Sequence, residues 1–154
     1  LNAVAIEVED EAWTEALADA EAIVERAALA ALSSLPPGEI EISVLLTDDA
    51  TIRALNARFR DKDAATNVLS FPAPAFARPH LGDLALAFGT CAAEAKAQDK
   101  TLADHLSHLT VHGVLHLLGY DHEADEEAEV MEQMERTILK TLGVSDPYAL
   151  GPDA

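Results

Sequence analysis

Three histidines in one short stretch carry the chemistry this sequence offers. They stand in His112-Gly-Val-Leu-His116-Leu-Leu-Gly119-Tyr-Asp-His122. Residues four apart on a helix share a face one turn apart, so His112 and His116 can aim two imidazole nitrogens at one ion, each at roughly 2.0–2.1 Å. Gly119 can take a positive φ at no steric cost, which would turn the chain and return His122 toward the first pair. Three neutral imidazoles leave a fourth tetrahedral position open, the arrangement of a catalytic rather than a structural zinc site. Water on such an ion loses its proton near neutral pH. One zinc ion per chain is therefore expected, although nickel, cobalt or copper would accept the same donors.

A lone His-x3-His pair is weak evidence for a metal. A third histidine after a correctly placed glycine makes the pattern specific. His108 and His112 are also four apart, but only His112 and His116 place Gly119 and His122 correctly. His105 and His108 are read as supporting, channel-lining or surface residues, and His80, in a proline-rich stretch, as an ordinary surface residue. The ligand spacing is that of the metzincin proteases. Those enzymes need a glutamate directly after the first histidine as general base, and this chain has Gly113 there. The metal geometry is thus expected to serve a bond other than the peptide bond.

Arg60 is the second feature, in the run Leu55-Asn56-Ala-Arg58-Phe-Arg60-Asp-Lys62. A guanidinium beside an open metal site suits a phosphodiester, because its planar fork can grip two phosphate oxygens and offset charge growing in the transition state. Arg58 and Arg60 equally suit the C-terminal end of a helix, where positive charge is favoured without any substrate. Asp121 is adjacent to a ligand and either orients an imidazole or the water or is a turn residue at a helix end.

These side chains need elements to hold them. Alternation marks strands over 3–8 and Glu39–Leu46, and further strands are expected over Thr66–Phe71 and Leu84–Phe88. A helical period runs from Trp13 to Leu35 and should stop at Pro36, Pro37 and Gly38. A second helix holds Ile52, Leu55 and Phe59, capped by Thr47, Asp48 or Asp49. A short helix over Ala92–Gln98 and a buried one over Leu102–Leu118 follow, with Gly119 as its C′ residue. The last, acidic helix, Ala124–Leu142, should turn Val130, Met134, Ile138 and Leu142 inward. The segment from about Gly143 is expected to be loose. No repeat or domain boundary is visible, so 1–154 reads as a single domain.

Composition sets limits. Ten Lys and Arg against 28 Asp and Glu give a formal net charge of -18, which disfavours non-specific binding to a polyanion. The charge is uneven: Arg53, Arg58, Arg60, Lys62 and Arg78 cluster against only Asp61 and Asp63, so one basic surface is expected. Aromatics are 5%, which argues against a platform of stacked aromatics. A single cysteine, Cys91, allows no internal disulfide and suits a reducing compartment. No charged-then-apolar leader and no long apolar run are present, so a cytoplasmic protein with no membrane association is expected; the opening Leu1 suggests that an initiator methionine or short leader precedes it.

His112-Gly-x-Leu-His116-Leu-x-Gly119-Tyr120-Asp121-His122 resembles the hallmark of the bacterial YbeY endoribonucleases. Leu55-Asn56, Arg60, Thr66-Asn67-Val68-Leu69-Ser70-Phe71-Pro72, Leu81-Gly82-Asp83, Leu142-Gly143 and Asp146-Pro147-Tyr148 match that family's other blocks in order, while Ala73–His80 and the segment after Asp83 are idiosyncratic. The resemblance implies an α+β fold: a small mixed four-stranded sheet packed against about five helices, with the metal site at the end of a central helix. It implies a single-strand-specific, metal-dependent endoribonuclease, acting in 3′-end maturation of small-subunit rRNA and in ribosome quality control, with the ribosome or ribosomal proteins as partners. The family's metal ligands carry over to His112, His116 and His122 and its functional arginine to Arg60; Asp121, Ser70 and Asn67 are candidate supporting residues. Two other functions stay open: a zinc-dependent protease-like amide hydrolase, and a non-catalytic ribosome-assembly factor with a structural metal. Either water or the RNA 2′-OH could be the nucleophile.

Overall fold

The computed structural model describes residues 2–33, 35–36 and 38–148. Pro37, one of the expected helix stops, and residues 149–154 of the expected loose segment lie outside the described residues. The fold is α+β. Strands β1 (Ala3–Val8), β2 (Glu41–Thr47), β3 (Val68–Pro72) and β4 (His80–Ala87) form one mixed sheet in the order β1-β2-β4-β3. The first three neighbours run parallel, and β3 runs antiparallel to β4 at the edge. Pro72 ends β3, where a missing N–H costs nothing in an edge strand.

Strand alternation decides the two faces. Val4, Ile6 and Val8 stand beside Ile42, Val44 and Leu46 and join the main core with α2 (Ala20–Leu32) and α5 (Leu102–Leu117). Ala20, Ala27, Ala28 and Ala31 of α2 are fully buried, small side chains that let the two helices lie close. The opposite face carries α3 (Asp49–Arg60), whose Ile52 and Leu55 pack on Leu69, Ala85, Ala87 and Phe71. Asp48 caps α3, its Oδ1 accepting from the Thr51 N–H at 2.7 Å.

The structure departs from the sequence reading in four places. The expected long first helix divides into α1 (Ala12–Ala16) and α2, with Leu17 extended between them, which gives six α-helices among the described residues. The break seats Trp13 with no exposure, its indole N–H donating to the Thr47 carbonyl at 3.0 Å and its ring edge-on to Phe88 at 5.2 Å. Strand β4 starts at His80 rather than Leu84, because pairing to β2 and β3 on both sides holds its polar opening residues. Helix α4 (Phe88–Ala97) starts earlier than Ala92, since Asp49 of α3 caps it across space, accepting from the Thr90 N–H at 2.9 Å.

The fourth departure concerns α6 (Asp125–Thr141). Its inner face is Met131, Glu135, Ile138 and Leu139, whereas the expected Val130 is 54% exposed. The segment after α6 is also anchored as far as it is described: Asp146 accepts from Arg136 Nε at 3.1 Å, and the Tyr148 hydroxyl reaches Glu135 at 2.7 Å. Among the described residues, no helix is long and apolar enough to cross a membrane.

Helix α5 is the central element, and Gly113 sets its distance from the sheet. A Cβ there would lie 2.8 Å from Leu84 Cδ2 and 3.3 Å from Ser70 Oγ, and Leu84 is 1% exposed, with no room to turn away. A glutamate at this position would meet the sheet rather than the cleft. Gly113→Glu is therefore expected to destabilise the fold by at least about 3 kcal/mol through overpacking and burial of a carboxylate, read as a lower urea midpoint, with no gain of peptidase activity.

Candidate metal centre

Helix α5 is capped at Thr101, whose Oγ1 accepts from the Asp104 N–H at 3.1 Å, and it ends in a Schellman motif. The Tyr120 N–H bonds the Leu115 carbonyl and the Gly119 N–H bonds that of His116, both at 3.0 Å. Gly119 has φ +100°, a conformation that side chains rarely adopt. This turn brings the chain back over the last helical turn. The ring of His122 lies 5.0 Å from that of His116 and 5.5 Å from that of His112. One nitrogen from each of the three rings lies within 4.8 Å of the others.

Each of the two helical imidazoles is held from behind. His116 donates its Nδ1–H to the Tyr120 carbonyl at 2.9 Å, and His112 donates its Nδ1–H to Glu135 Oε1 at 3.0 Å. Both protons are thereby placed on Nδ1, and both Nε2 atoms carry lone pairs. Those two Nε2 atoms stand 3.0 Å apart. Two lone pairs at that distance repel unless a cation lies between them, and tetrahedral zinc holds neighbouring nitrogens roughly 3.3 Å apart given its ~2.05 Å bonds. The donor set therefore fits a metal ion. Burial pushes the His116 imidazole below its ordinary value, and the nearby His112 and His122 add to this, which keeps it in the neutral, ligating form.

Glu135 is the residue that sequence reasoning missed. It sits on the buried face of α6 with no exposure, yet its carboxylate is fully met. His108 Nε2–H donates to Oε1 at 2.9 Å beside His112, and Tyr148 donates to Oε2 at 2.7 Å. Burial alone would raise its pKa, but the hydrogen bonds from His108, His112 and Tyr148 outweigh it and hold the carboxyl down at about 2. Burial first, and then the carboxylate, push the Tyr148 hydroxyl up, so it stays a donor. A carboxylate that accepts from a histidine in this way fixes the ring, and would raise its basicity toward a metal. In the sequence Glu135 follows Met131 by four and precedes Ile138 by three, but nothing local marks its carboxylate as buried. His108 thus supports a ligand at one remove. His108, His112 and Glu135 also form a second group of close donor atoms, but there the carboxylate already accepts from both rings.

The remaining expected residues line the same cleft of about 550 Å³ as the three histidines: Arg60, Asn67, Ser70 and Asp121. Arg60 leaves the last turn of α3 and passes round the free edge of β3, where its Nη2 donates to the Ser70 carbonyl. Ser70 Oγ is turned away, donating to the Gly113 carbonyl at 3.2 Å. The Asn67 amide donates to Glu94 at 3.0 Å, while its Oδ1 accepts from the Val68 N–H. Both side chains therefore serve the scaffold. Asp121 Oδ1 accepts from the His122 N–H at 2.7 Å and fixes the turn that carries this ring. In the expected basic surface, Arg53 is bound to Asp63 at 2.7 Å; among the described residues no carboxylate pairs with Arg58, Arg60 or Lys62. His80 opens β4 with its Nε2–H on Asp83 at 3.1 Å.

The profile of the family Endoribonuclease YbeY matches residues 5–143. Curated relatives named Endoribonuclease YbeY include one from Paramagnetospirillum magneticum, 55% identical with 94% of each chain covered. One from Azorhizobium caulinodans is 57% identical, covering 93% of this chain and 94% of its own. One from Maricaulis maris is 52% identical, covering 96% and 92%. The solution structure of the Thermotoga maritima protein TM1509 has the same fold, with a TM-score of 0.56 and 22% identity over 98% of this chain and 99% of that one.

The buried titratable groups set a pH dependence for the metal-free protein. Burial lowers His105 and His116 below the usual 6.5, so under that pH the unfolded chain binds more protons than the folded one and stability falls. Glu135, held at about 2 against an ordinary 4.5, extends the loss between those values. The urea midpoint should decline below about pH 6.5 and again below about pH 4.5. A midpoint independent of pH over this range would show that these groups are not held as described.

Proposed function

The chain belongs to the Endoribonuclease YbeY family, and from that membership we propose a zinc-dependent endoribonuclease that cuts single-stranded RNA. The observation that carries this reading is the pair of unprotonated Nε2 atoms on His112 and His116, 3.0 Å apart at the floor of the cleft that Arg60 lines. His112 and His116, joined by His122, would hold one zinc ion. A zinc ion there would supply a Lewis acid for a phosphodiester oxygen and lower the pKa of water to about 7.

The protein's own groups do the rest. Glu135 and the Tyr120 carbonyl hold the imidazoles in the ligating tautomer. The Arg60 guanidinium, fastened by one nitrogen to the Ser70 carbonyl, offers its other donors to a phosphate oxygen and offsets the charge that grows there. A preorganised cation loses little freedom at the moment of reaction. Lys62 lines the same cleft, so the strongly acidic protein meets the RNA backbone through a small local patch.

The cellular task consistent with this chemistry is 3′-end maturation of small-subunit rRNA and ribosome quality control in the cytoplasm, on RNA presented by the ribosome or ribosomal proteins. Peptide hydrolysis is disfavoured, because the position of the protease glutamate is a glycine packed on the sheet. Water rather than the 2′-OH is the proposed nucleophile, because an open three-histidine metal site would supply its own.

Arg60→Ala should keep the fold and metal content while cutting single-stranded RNA about 10²–10³-fold more slowly, the usual loss of one transition-state donor. His116→Ala should lose bound metal by elemental analysis and activity together. Glu135→Gln should weaken zinc binding by about 10–100-fold in a chelator competition. An RNA carrying a 2′-deoxy residue at the scissile position should still be cut. Loss of that cleavage would transfer the attack to the 2′-OH, and undiminished cleavage by Arg60→Ala would remove the arginine from the mechanism.

A further inference from the structure

The face of the sheet opposite the metal centre is only partly covered. Helix α3 lies over β4 and β3, leaving a largely apolar hollow of about 630 Å³ between it and β1. Leu55, Phe59 and Phe71 form one wall, and Ser43 and Asp83 lie in the floor. The register places Ala5, Ser43, Asp83 and Phe71 in one row across all four strands. Phe59 is 57% exposed, and its ring meets that of Phe71 edge-on at 5.6 Å.

Aromatic residues are scarce in this chain, so their grouping with cations has weight. The Arg58 guanidinium lies 5.1 Å from the Phe59 ring centre, and that of Arg60 lies 5.8 Å from the Phe71 ring centre. Arg60 therefore belongs to both places. It stands against the aromatic wall on one side of β3 and lines the metal cleft on the other. A strand that leaves the cleft past Arg60 arrives at Phe59.

Resting on the endoribonuclease reading above, we infer that this hollow is a nucleobase subsite: an unpaired base of the same RNA strand stacks on Phe59 and presents its hydrogen-bond donors to Asp83. Every base has a π-face, and stacking on an exposed aromatic ring next to guanidinium groups is how single strands are commonly held. The floor decides which part of the nucleotide enters. Asp83 and Glu7 line the hollow and repel a phosphate, whereas Arg58 and Arg60 at the rim attract one. His80 occupies Oδ1 of Asp83; among the described residues nothing bonds Oδ2, which is an acceptor for a base N–H. Guanine, with adjacent N1–H and N2–H donors, fits this floor better than uracil, which offers one N–H flanked by two carbonyls.

The test uses the zinc-loaded protein and a short fluorescein-labelled single-stranded RNA in which one abasic residue is moved along the strand. At one position beyond the cleavage site, the abasic residue should raise KM about five- to a hundredfold, with a smaller effect on kcat. Phe59→Ala should raise KM on the intact RNA by a similar factor and add little on that abasic RNA, while Phe59→Trp restores the wild-type value. Asp83→Asn should reduce a preference for guanine over uracil at the same position. An unchanged KM in Phe59→Ala, or effects of variant and abasic residue that multiply in full, would overturn the subsite and leave the hollow to a protein partner. Failure of the wild-type protein to cut any RNA would instead overturn the endoribonuclease reading on which the subsite rests.

Discussion

Two imidazole lone pairs facing each other across 3.0 Å are an arrangement that a folded chain must enforce. Left free, either ring would rotate away. His112 is prevented by Glu135 and His116 by the Tyr120 carbonyl, each accepting the Nδ1 proton. These tethers come from different levels of structure. The Tyr120 carbonyl is local, a product of the turn at Gly119. Glu135 is remote, brought in by α6, and it is tolerable in the interior because His108 and Tyr148 complete its hydrogen bonding. A buried carboxylate without those partners would be strongly unfavourable. The last described residue, Tyr148, is in this way connected to the histidine cluster through a single carboxylate.

The edge strand β3 ties the two faces of the sheet together. On its inner side Ser70 packs against α5 through the Gly113 carbonyl, and the missing side chain at Gly113 allows that approach. On its outer side Phe71 packs with α3. Arg60 bridges the two by bonding an edge carbonyl that no neighbouring strand satisfies. An exposed sheet edge is ordinarily a liability that invites pairing with another chain. Here the guanidinium covers it and is itself held in place, so a potential weakness becomes part of the cleft wall.

Charge follows the same economy of placement. The protein is acidic overall, and acid reaches the cleft itself in Asp121 and Glu123, opposite Arg60 and Lys62. Arg58 and Arg60 end α3, where the helix dipole also favours them, and Lys62 follows its Asp61 cap. The two readings of these residues, helix-end cations and phosphate ligands, are therefore compatible. A polyanion would be repelled by most of the surface, and the proposed phosphate contacts fall at one location.

The sequence by itself determined the features that depend on near neighbours. The spacing of His112, His116, Gly119 and His122 dictated a helix with two histidines on one face and a glycine turn returning the third, because helix pitch and the left-handed region of backbone space are local properties. The same holds for β1, for a cap among Thr47, Asp48 and Asp49, and for most of the core periodicity. Tertiary structure decided what only distant residues can impose. Trp13 breaks the first helix to reach Thr47; Asp49 starts α4 from another helix; Met131 and Glu135 turn inward where Val130 was expected. Apolar periodicity alone cannot foresee a carboxylate on a buried face, because what makes it stable is the set of donors from His108, His112 and Tyr148, and no local pattern records that they converge.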